Sequence, residues 1–248
     1  MLVSVITPNY NCAAYIGGAI ESVLAQSFRD WELLIVDDCS TDGSDGIAAE
    51  YAGRDSRIRL YKTPAHSGSP LAPRNWGVTM ARGRYIAFLD SDDLWLPDKL
   101  EKQLALFSDE QTAIAFSNYE KITEDGARNG RVVRSPAAVS YGKLLKSNYI
   151  GNLTAMYDTH KTGKLFFEHS RHEDYVLWLS ILAKGFTARN TGAVEALYRV
   201  RAGSVSSRKR DAAQWQWRIY RRHLKLPLPY SVCLFCCYMA SGFLKYIR

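Results

Sequence analysis

A cluster of aspartates directly after an apolar segment is the part of the sequence best suited to chemistry. The apolar segment 85–89 leads straight into Asp90, Ser91, Asp92 and Asp93. Such a run predicts a buried strand, and ligand sites in open α/β sheets lie beyond the carboxyl ends of the strands. Neighbouring carboxylates raise one another's pKa unless a cation lies between them. Oxygen donors without His or Cys favour Mg²⁺ or Mn²⁺ over zinc. The alternative is a solvated acidic turn.

Alternating strand and helix patterns must position these aspartates. In chain order, the patterns predict strand 3–7, helix 15–26, strand 31–36, a helix ending at 51, strand 58–62, helix 75–80, strand 85–89, helix 98–107 and strand 113–118. Further along, they predict a turn at Asp125-Gly126, a short helix 141–147, a strand 154–158 and a helix opening at Glu173. This alternation implies βαβ units and a mostly parallel, Rossmann-like sheet.

Two common phosphate-binding motifs are absent from the sequence. There is no P-loop and no Gly-x-Gly-x-x-Gly fingerprint, because Gly17-Gly18 lies inside a predicted helix rather than at a strand-to-helix turn. A nucleotide bound by this chain therefore needs another way to neutralise its phosphates. A metal ion held by carboxylates would do so.

Composition and charge place limits on the class of protein. The 248 residues fit one large α/β domain, or one domain with an appendage. The five cysteines show no disulfide or zinc spacing, and no signal peptide is evident, so we expect reduced thiols and a cytosolic setting. Residues 206–248 contain nine Lys or Arg and one Asp, a net charge of +8, whereas the whole chain carries +7. The basic character therefore belongs to the tail, and it suggests an anionic partner.

The tail combines basic, aromatic and apolar stretches. Segment 214–225 interleaves aromatic and basic residues, Pro227 and Pro229 are expected to break the chain, and 230–244 is uncharged and apolar. Its 15 residues fall short of the ~20 that a membrane-spanning helix needs. Two interpretations stay open: an amphipathic segment on anionic lipid, or a helix pair packed on the main domain. Nucleic-acid binding is less favoured, since no recognised module accompanies the basic run.

Six motifs in a fixed order carry a resemblance to a known family. They are Val-Ile-Thr-Pro-Asn-Tyr-Asn at 5–11, Val-Asp-Asp-Cys-Ser-Thr-Asp-Gly at 36–43, Ala-Pro-Arg-Asn-Trp-Gly at 72–77, Leu-Asp-Ser-Asp-Asp at 89–93, Glu-Asp-Tyr-Val-Leu-Trp at 173–178 and Tyr-Arg-Val-Arg-Ala-Gly-Ser-Val-Ser at 198–206. Over about residues 1–225 the chain resembles glycosyltransferase family 2. The resemblance implies a GT-A fold and transfer of a sugar from a nucleotide-sugar donor with inversion of its anomeric centre.

The resemblance also implies a donor site. The loop from Pro8 to Tyr10 would line the base and ribose, and Asp38 would hydrogen-bond the base. Arg74 would lie near the base or the diphosphate. Of the neighbouring acids, Asp37 is expected to support its loop, and Asp42 to cap the following helix.

The aspartate cluster corresponds to the DxD motif of that family. Asp92 would coordinate Mn²⁺ or Mg²⁺ directly, Asp90 would contact the ribose or the metal through water, and Ser91 lies between them. Asp174 would be the general base that removes the acceptor's proton. The alternative for Asp174 is a structural one, since an acid in the first turn of a helix complements the helix dipole.

Other matches concern the acceptor and the diphosphate. Asn152, His172 and Glu173 are expected on the acceptor side or behind the base. Many relatives have His where this chain has Arg201. An arginine cannot ligate a metal, but we expect Arg199 or Arg201 to approach the diphosphate as a fixed cation.

Together these observations predict a GT-A domain over 1–205, with a mostly parallel mixed sheet flanked by helices, and a helical tail over 206–248. Its nucleotide half would span about 1–120 and its acceptor half about 121–205. The predicted function is transfer from a UDP-sugar to a lipid-linked glycan of a bacterial O-antigen, lipopolysaccharide or capsule, at the inner face of the inner membrane. The alternatives are a non-catalytic nucleotide-sugar binding protein and a sugar nucleotidyltransferase, whose glycine-rich basic signature is missing after the first strand.

Overall fold

A ten-stranded mixed sheet forms the centre of the computed structural model, which describes residues 3–169, 172–201 and 209–247. Its strands are β1 (Val3–Asn9), β2 (Trp31–Asp37), β3 (Ile58–Lys62), β4 (Tyr85–Phe88), β5 (Leu94–Trp95), β6 (Thr112–Ile122), β7 (Arg128–Val133), β8 (Ala138–Val139), β9 (Met156–Asp158) and β10 (Thr187–Arg199). The helices are α1 (Ile16–Leu24), α2 (Ser44–Arg54), α3 (Leu71–Met80), α4 (Lys99–Ala105), α5 (Tyr141–Leu144), α6 (Thr159–Thr162), α7 (Glu173–Leu182), α8 (Lys209–Arg218) and α9 (Leu228–Ile247).

The strand order joins the two predicted halves in one continuous sheet, in which their strands alternate beyond β4. The order is β3-β2-β1-β4-β9-β6-β10-β5, with β7 paired to β6 and β8 paired to β10. Strands β1 to β4 pair in parallel, as do β6 and β10, while β9 runs antiparallel between β4 and β6. The prediction of a mostly parallel mixed sheet with flanking helices is confirmed.

Both faces of the sheet are covered, which explains the nearly continuous apolar runs of its strands. Successive residues of a strand point to opposite faces. In β1, Val5 packs with α1, α2 and α4, whereas Ile6 packs with α3 and α7. Leu33 and Leu34 of β2 divide in the same way. The sheet therefore has two cores, and the loops at its carboxyl edge are left to form a site.

At the edge of the sheet opposite that site, the backbone just before β4 packs tightly against β1. Gly83 donates its N–H to Ser4 Oγ (2.8 Å), and Ser4 Oγ donates to Glu32 Oε1 (2.6 Å). A Cβ added at Gly83 would lie 2.6 Å from the backbone nitrogen of Ser4, closer than atoms can approach. Glycine is required here by space rather than by its torsion angles.

Several predicted boundaries are wrong. Helix α3 begins at Leu71 instead of 75, because Pro73 falls within its first turn, where a missing N–H costs nothing. Strand β9 begins at Met156 because Asn152–Thr154 forms a 3-10 turn. Pro229 does not break the tail, since it is the second residue of α9. Strand β10 and the short β5 were not predicted.

The described part of the tail packs on the main domain. A π-helical turn, Ile219–His223, joins α8 to the segment before α9. Ile219, Tyr220 and Leu234 are buried in the core cluster that contains α7, and Gln216 Nε2 donates to the hydroxyl of Tyr175 (3.1 Å). The packed helix pair is therefore the interpretation that the geometry matches.

Among the described residues, no helix combines the length and the apolar character that crossing a bilayer requires.

Candidate active site

The aspartate cluster forms a turn directly after β4, held by a strand on the opposite side. The backbone N–H of Arg199, the last residue of β10, donates to Asp93 Oδ1 (2.8 Å). Its Nε donates to the carbonyl of Asp92 (2.8 Å), and its Nη1 donates to the carbonyl of Glu124 (2.8 Å). Burial, with Asp90 and Asp92 nearby, raises the pKa of Asp93 well above its ordinary value. In this geometry Arg199 positions the DxD turn, although it was expected at the diphosphate.

Arg74 connects that turn to helix α7. Its side chain is only 7% exposed, and its Nη2 lies 2.5 Å from Asp90 Oδ1 while its Nη1 lies 2.8 Å from Glu173 Oε1. Its Nε is buried without a hydrogen-bond partner in the described part of the chain. Burial raises the pKa of Glu173, and the charge of Arg74 opposes that shift. Arg74 was predicted to contact the donor, and here it bridges a donor-side and an acceptor-side carboxylate.

Asp174 lies in the first turn of α7, next to this bridge. The carboxyl group is partly buried, and burial raises its pKa, while the Tyr175 N–H, the Arg74 charge and a hydrogen bond from the Asn148 side chain oppose the rise. The following residue fixes the helix, because Tyr175 donates its hydroxyl to the carbonyl of Leu144 (2.9 Å). A carboxylate with a raised pKa, on a fixed helix, suits a general base working near neutral pH.

Asp92 is paired with a cation of the chain itself. Arg201 Nη1 lies 3.0 Å from Asp92 Oδ2 and 3.6 Å from the sulfur of the buried Cys12. The guanidinium groups of Arg199 and Arg201 both lie over the ring of Tyr15, at 4.9 and 5.1 Å. Burial and the Asp90 charge raise the pKa of Asp92, and Arg201 opposes the rise. The expected metal ligand thus already has a positive partner.

The DxD carboxylates fit a hard divalent cation in chemical type. Mg²⁺ is usually bound by one or two carboxylates, with substrate phosphates and water completing its shell, rather than by an all-protein cage. Asp90 and Asp92 offer such oxygens, whereas the described residues contain no cluster of three His, Cys, Asp or Glu that could hold a metal. A metal at this turn would therefore bind weakly by itself and more tightly once phosphate oxygens from a ligand complete its shell.

The loop that follows β3 encloses Asp38. Thr63 Oγ1 donates to Asp38 (2.8 Å), Ser67 donates its backbone N–H (3.0 Å) and its hydroxyl (2.9 Å), and His66 Nδ1 lies 2.9 Å away. Burial raises the pKa of Asp38, but these hydrogen bonds outweigh it and lower the pKa below its ordinary value. A carboxylate offers about four lone-pair sites, so a base contact by Asp38 requires one of these partners to move.

His66 is a site residue that the sequence reasoning missed. Its ring stacks on the exposed ring of Tyr10, with centroids 4.1 Å apart, directly beside Asp38. A single His in a loop of Gly, Ser and Pro has no spacing signal. The only available signal is position: Asp38 follows β2, and His66 follows β3, the strand that pairs with β2.

The remaining predicted residues occupy different settings. Pro8 is buried within β1 opposite Val36, so its backbone, not an exposed ring, faces the loops. Ser91 is buried and hydrogen-bonds the Cys12 thiol. His172 immediately precedes α7. Asn152 lies in the 3-10 turn, and both polar atoms of its amide are buried without a partner among the described residues. An unsatisfied amide is costly, which favours a ligand contact there.

Asp37 was expected to support its loop, and Asp42 to cap the following helix. Asp37 accepts from Asn9 Nδ2 (2.8 Å) and from the Ser40 N–H (3.0 Å). Asp42 accepts from the Ser44 N–H (3.0 Å), although the N-cap of α2 is Gly43, in the left-handed region. Asp42 therefore stabilises the start of α2 from the position before the N-cap.

Parallel strands in the order β3-β2-β1-β4, continued by mixed strands and flanked by helices, form the architecture of the GT-A class of glycosyltransferases. The family model described as "Glycosyl transferase family 2" matches residues 4–170. The chain belongs to this family and is a glycosyltransferase.

Curated relatives cover most of the chain. TuaG of Bacillus subtilis (strain 168), which its name assigns provisionally to teichuronic acid biosynthesis, is 43% identical over 89% of this chain and 87% of its own length. WfaP of Escherichia coli is 41% identical, covering 84% of this chain and 81% of its own. WfaP is named a UDP-Glc:alpha-D-GlcNAc-diphosphoundecaprenol beta-1,3-glucosyltransferase.

Solved structures support the fold. TarS 1-349 of S. aureus, in complex with UDP-GlcNAc, superposes with a TM-score of 0.74 at 22% identity, covering 96% of this chain and 72% of that chain. The mannosyltransferase PcManGT of Pyrobaculum calidifontis, in complex with GDP-Man and Mn2+, gives 0.73 at 19% identity, covering 95% of this chain and 68% of that chain. At these identities the likeness establishes the GT-A fold alone.

Proposed function

We propose that this enzyme transfers a sugar from a UDP-sugar to a hydroxyl of a diphosphate-linked lipid glycan, with inversion, in bacterial surface polysaccharide synthesis. The observation that carries the proposal is the Arg74 bridge between Asp90 and Glu173. It holds the DxD turn close to the first turn of α7, which carries Asp174. The names of the relatives, among them an enzyme for a UDP-Glc donor and an undecaprenol-linked acceptor, supply the donor and acceptor classes.

The proposed donor site combines the loop after β1 with the DxD turn. The base would stack against Tyr10 once its ring separates from His66, and Asp38 would bind the base edge. Asp90 and Asp92 would hold Mn²⁺ or Mg²⁺ together with the diphosphate. That cation would stabilise the negative charge that develops on the leaving diphosphate. Arg201, released from Asp92, is placed to contact the phosphates.

The proposed acceptor chemistry rests on Asp174. Its carboxylate would accept the proton of the attacking hydroxyl on the side of the sugar opposite the leaving diphosphate, which gives inversion. The charge of Arg74 and the side chain of Asn148 favour its ionised form against the effect of burial, and Asn152 would lie on the acceptor side. Glu173, held by Arg74, positions this end of α7, and His172 borders it.

Replacing Asp174 with Asn tests the proposal. Removal of a general base typically costs about a hundredfold to ten-thousandfold in turnover. We expect that loss in transfer from UDP-glucose and other UDP-sugars to a GlcNAc-diphosphate lipid, with UDP binding retained. The control is Asp98→Asn, which removes a carboxylate paired with Lys102 on the surface. Unchanged turnover in Asp174→Asn would overturn the assignment of the base.

The same proposal places the tail against the inner face of the inner membrane. Exposed apolar residues of α9, Leu228, Val232 and Met239, adjoin exposed basic residues, and the tail carries the +8 charge. We expect the protein to sediment with vesicles of phosphatidylglycerol but not of phosphatidylcholine, and less at high salt. Equal sedimentation with both lipids would contradict an electrostatic contact.

A further inference from the structure

The tail helices line two neighbouring cavities, both open to solvent, that lie outside the proposed catalytic residues. The larger, of about 680 Å³, lies between α8 and α9 and is lined by Ala213, Trp217, Val232 and Phe235 among others. The rings of Trp217 and Phe235 meet edge to face, with centroids 5.4 Å apart. Its wall is mainly apolar, and it suits a hydrocarbon chain.

The smaller cavity, of about 330 Å³, is basic and aromatic. It is lined by His169, Trp215, Ile219 and His223, and it shares Arg218 and Arg222 with the larger cavity. Arg218 lies over the ring of Trp215 at 4.9 Å. No acidic residue lines either cavity among the described residues, and the nearest recorded carboxylate is Glu168, 3.5 Å from His223. Guanidinium groups recognise phosphate oxygens well, so the boundary between the cavities suits a phosphate group.

The basic cavity adjoins the active site along the chain and through packing. Phe167, two residues before His169, has its ring centroid 5.5 Å from the guanidinium carbon of Arg74. On the other side, Gln216 of α8 donates to the hydroxyl of Tyr175, the residue after Asp174. The succession is therefore apolar groove, arginine pair, and then the first turn of α7.

We propose that this groove is the binding site for the lipid diphosphate part of the acceptor. The hydrocarbon chain would lie between α8 and α9, the diphosphate at Arg218 and Arg222, and the glycan would extend past His169 towards Asp174. The inference rests on the proposed function, since it assigns a site to the acceptor class named there. It also gives two basic residues of the tail a specific ligand, in addition to the electrostatic contact of the tail with the membrane surface.

Calorimetry on the full chain tests the site with farnesyl diphosphate as the probe, in EDTA so that a metal at the DxD turn does not contribute. We expect binding of farnesyl diphosphate to be at least tenfold tighter than that of farnesol or of inorganic diphosphate. Arg218→Gln and Arg222→Gln should each weaken it about tenfold, the usual effect of losing a charge-assisted hydrogen bond. Val232→Ser should weaken the binding of farnesyl diphosphate and leave the binding of inorganic diphosphate unchanged. Arg131→Gln, on exposed β7, is the matched control.

The outcomes separate this inference from the proposed function. Donor binding is measured in parallel, with UDP and Mn²⁺ on the wild type. Binding of UDP without any binding of farnesyl diphosphate would overturn the groove and leave the transferase proposal standing. Binding of farnesyl diphosphate without UDP would support the groove and overturn the donor proposal. Equal competition by dispersed phosphatidylglycerol would also overturn the inference, because the groove would then be a site for membrane phospholipid.

Discussion

Replacing Arg74 with Met removes the cation at the centre of the site and keeps most of the side-chain volume. The two carboxylates that it bridges, Asp90 and Glu173, would then face each other without a positive partner, with Asp174 close by. Loss of one partner from a fully buried pair costs ~3–5 kcal/mol. Here Arg74 is 7% exposed but Glu173 and Asp90 are 17% and 31% exposed, so water screens part of that cost.

The lower end of the range, ~3 kcal/mol, is therefore the expected loss in the free energy of unfolding. For a chain of this length each kcal/mol lowers Tm by ~2–4 °C, which predicts a fall of ~6–12 °C. Arg54→Met is the matched control, because Arg54 and Glu50 form an ion pair that is 67% and 60% exposed. Scanning calorimetry should place the control within about a degree of the wild type.

The pH dependence tests the electrostatic origin of this loss. Burial already raises the pKa of Glu173, and removing Arg74 raises it further. A carboxyl group with a raised folded-state pKa stabilises the fold below its ordinary pKa and loses that contribution as pH rises through the raised value. The difference in Tm between Arg74→Met and the wild type should thus narrow on acidification from neutral pH. A difference under ~2 °C at neutral pH, or one that widens in acid, would refute the bridge as a stabilising element.

Three further predictions follow from other contacts. Arg201→Gln should tighten binding of Mn²⁺ alone by about two- to fivefold, because it frees Asp92 from a partly exposed pair, and it should weaken UDP binding. Titration with Mn²⁺ followed by electron paramagnetic resonance measures the affinity, and a lower affinity in the variant would contradict this prediction. Because burial raises the pKa of Asp174, turnover should be lost in acid starting from a pH above the ordinary aspartate range, as a pH–rate profile checks. Gly83→Ala should lower Tm strongly because the added Cβ would clash with the backbone of Ser4. Gly46→Ala should raise Tm slightly, because a Cβ there has no neighbour within 4 Å and alanine favours helix α2. Equal Tm values for the two variants would contradict the steric explanation.

The nucleotide half of the fold could be predicted because local sequence determines it. Its strands are buried on both faces and its helices are amphipathic, so periodicity is informative. Strand β10 was not predicted because its buried positions include Asn190 and Glu195, whose hydrogen-bond partners lie elsewhere in the chain. A polar residue satisfied by a distant partner gives no periodic signal.

The candidate site, too, could be predicted only in part. The aspartates after a predicted strand drew attention to Asp90 and Asp92, and the family resemblance drew attention to Asp174 at the start of a predicted helix. The roles of the arginines did not follow, because a guanidinium can reach any carboxylate within several ångströms. The structure alone places Arg74 between two acids and pairs Arg201 with Asp92.

The burial of Tyr220 and Leu234 beside α7 has a consequence for how the chain is made. Synthesis proceeds from the amino terminus, so the ribosome releases α7 and its apolar face well before the residues that cover it. Until α9 emerges, that face is exposed, and it includes the helix that carries the proposed base. A nascent chain of this enzyme should therefore depend on chaperones until residues 228–247 have emerged, and it should acquire its finished acceptor side only then.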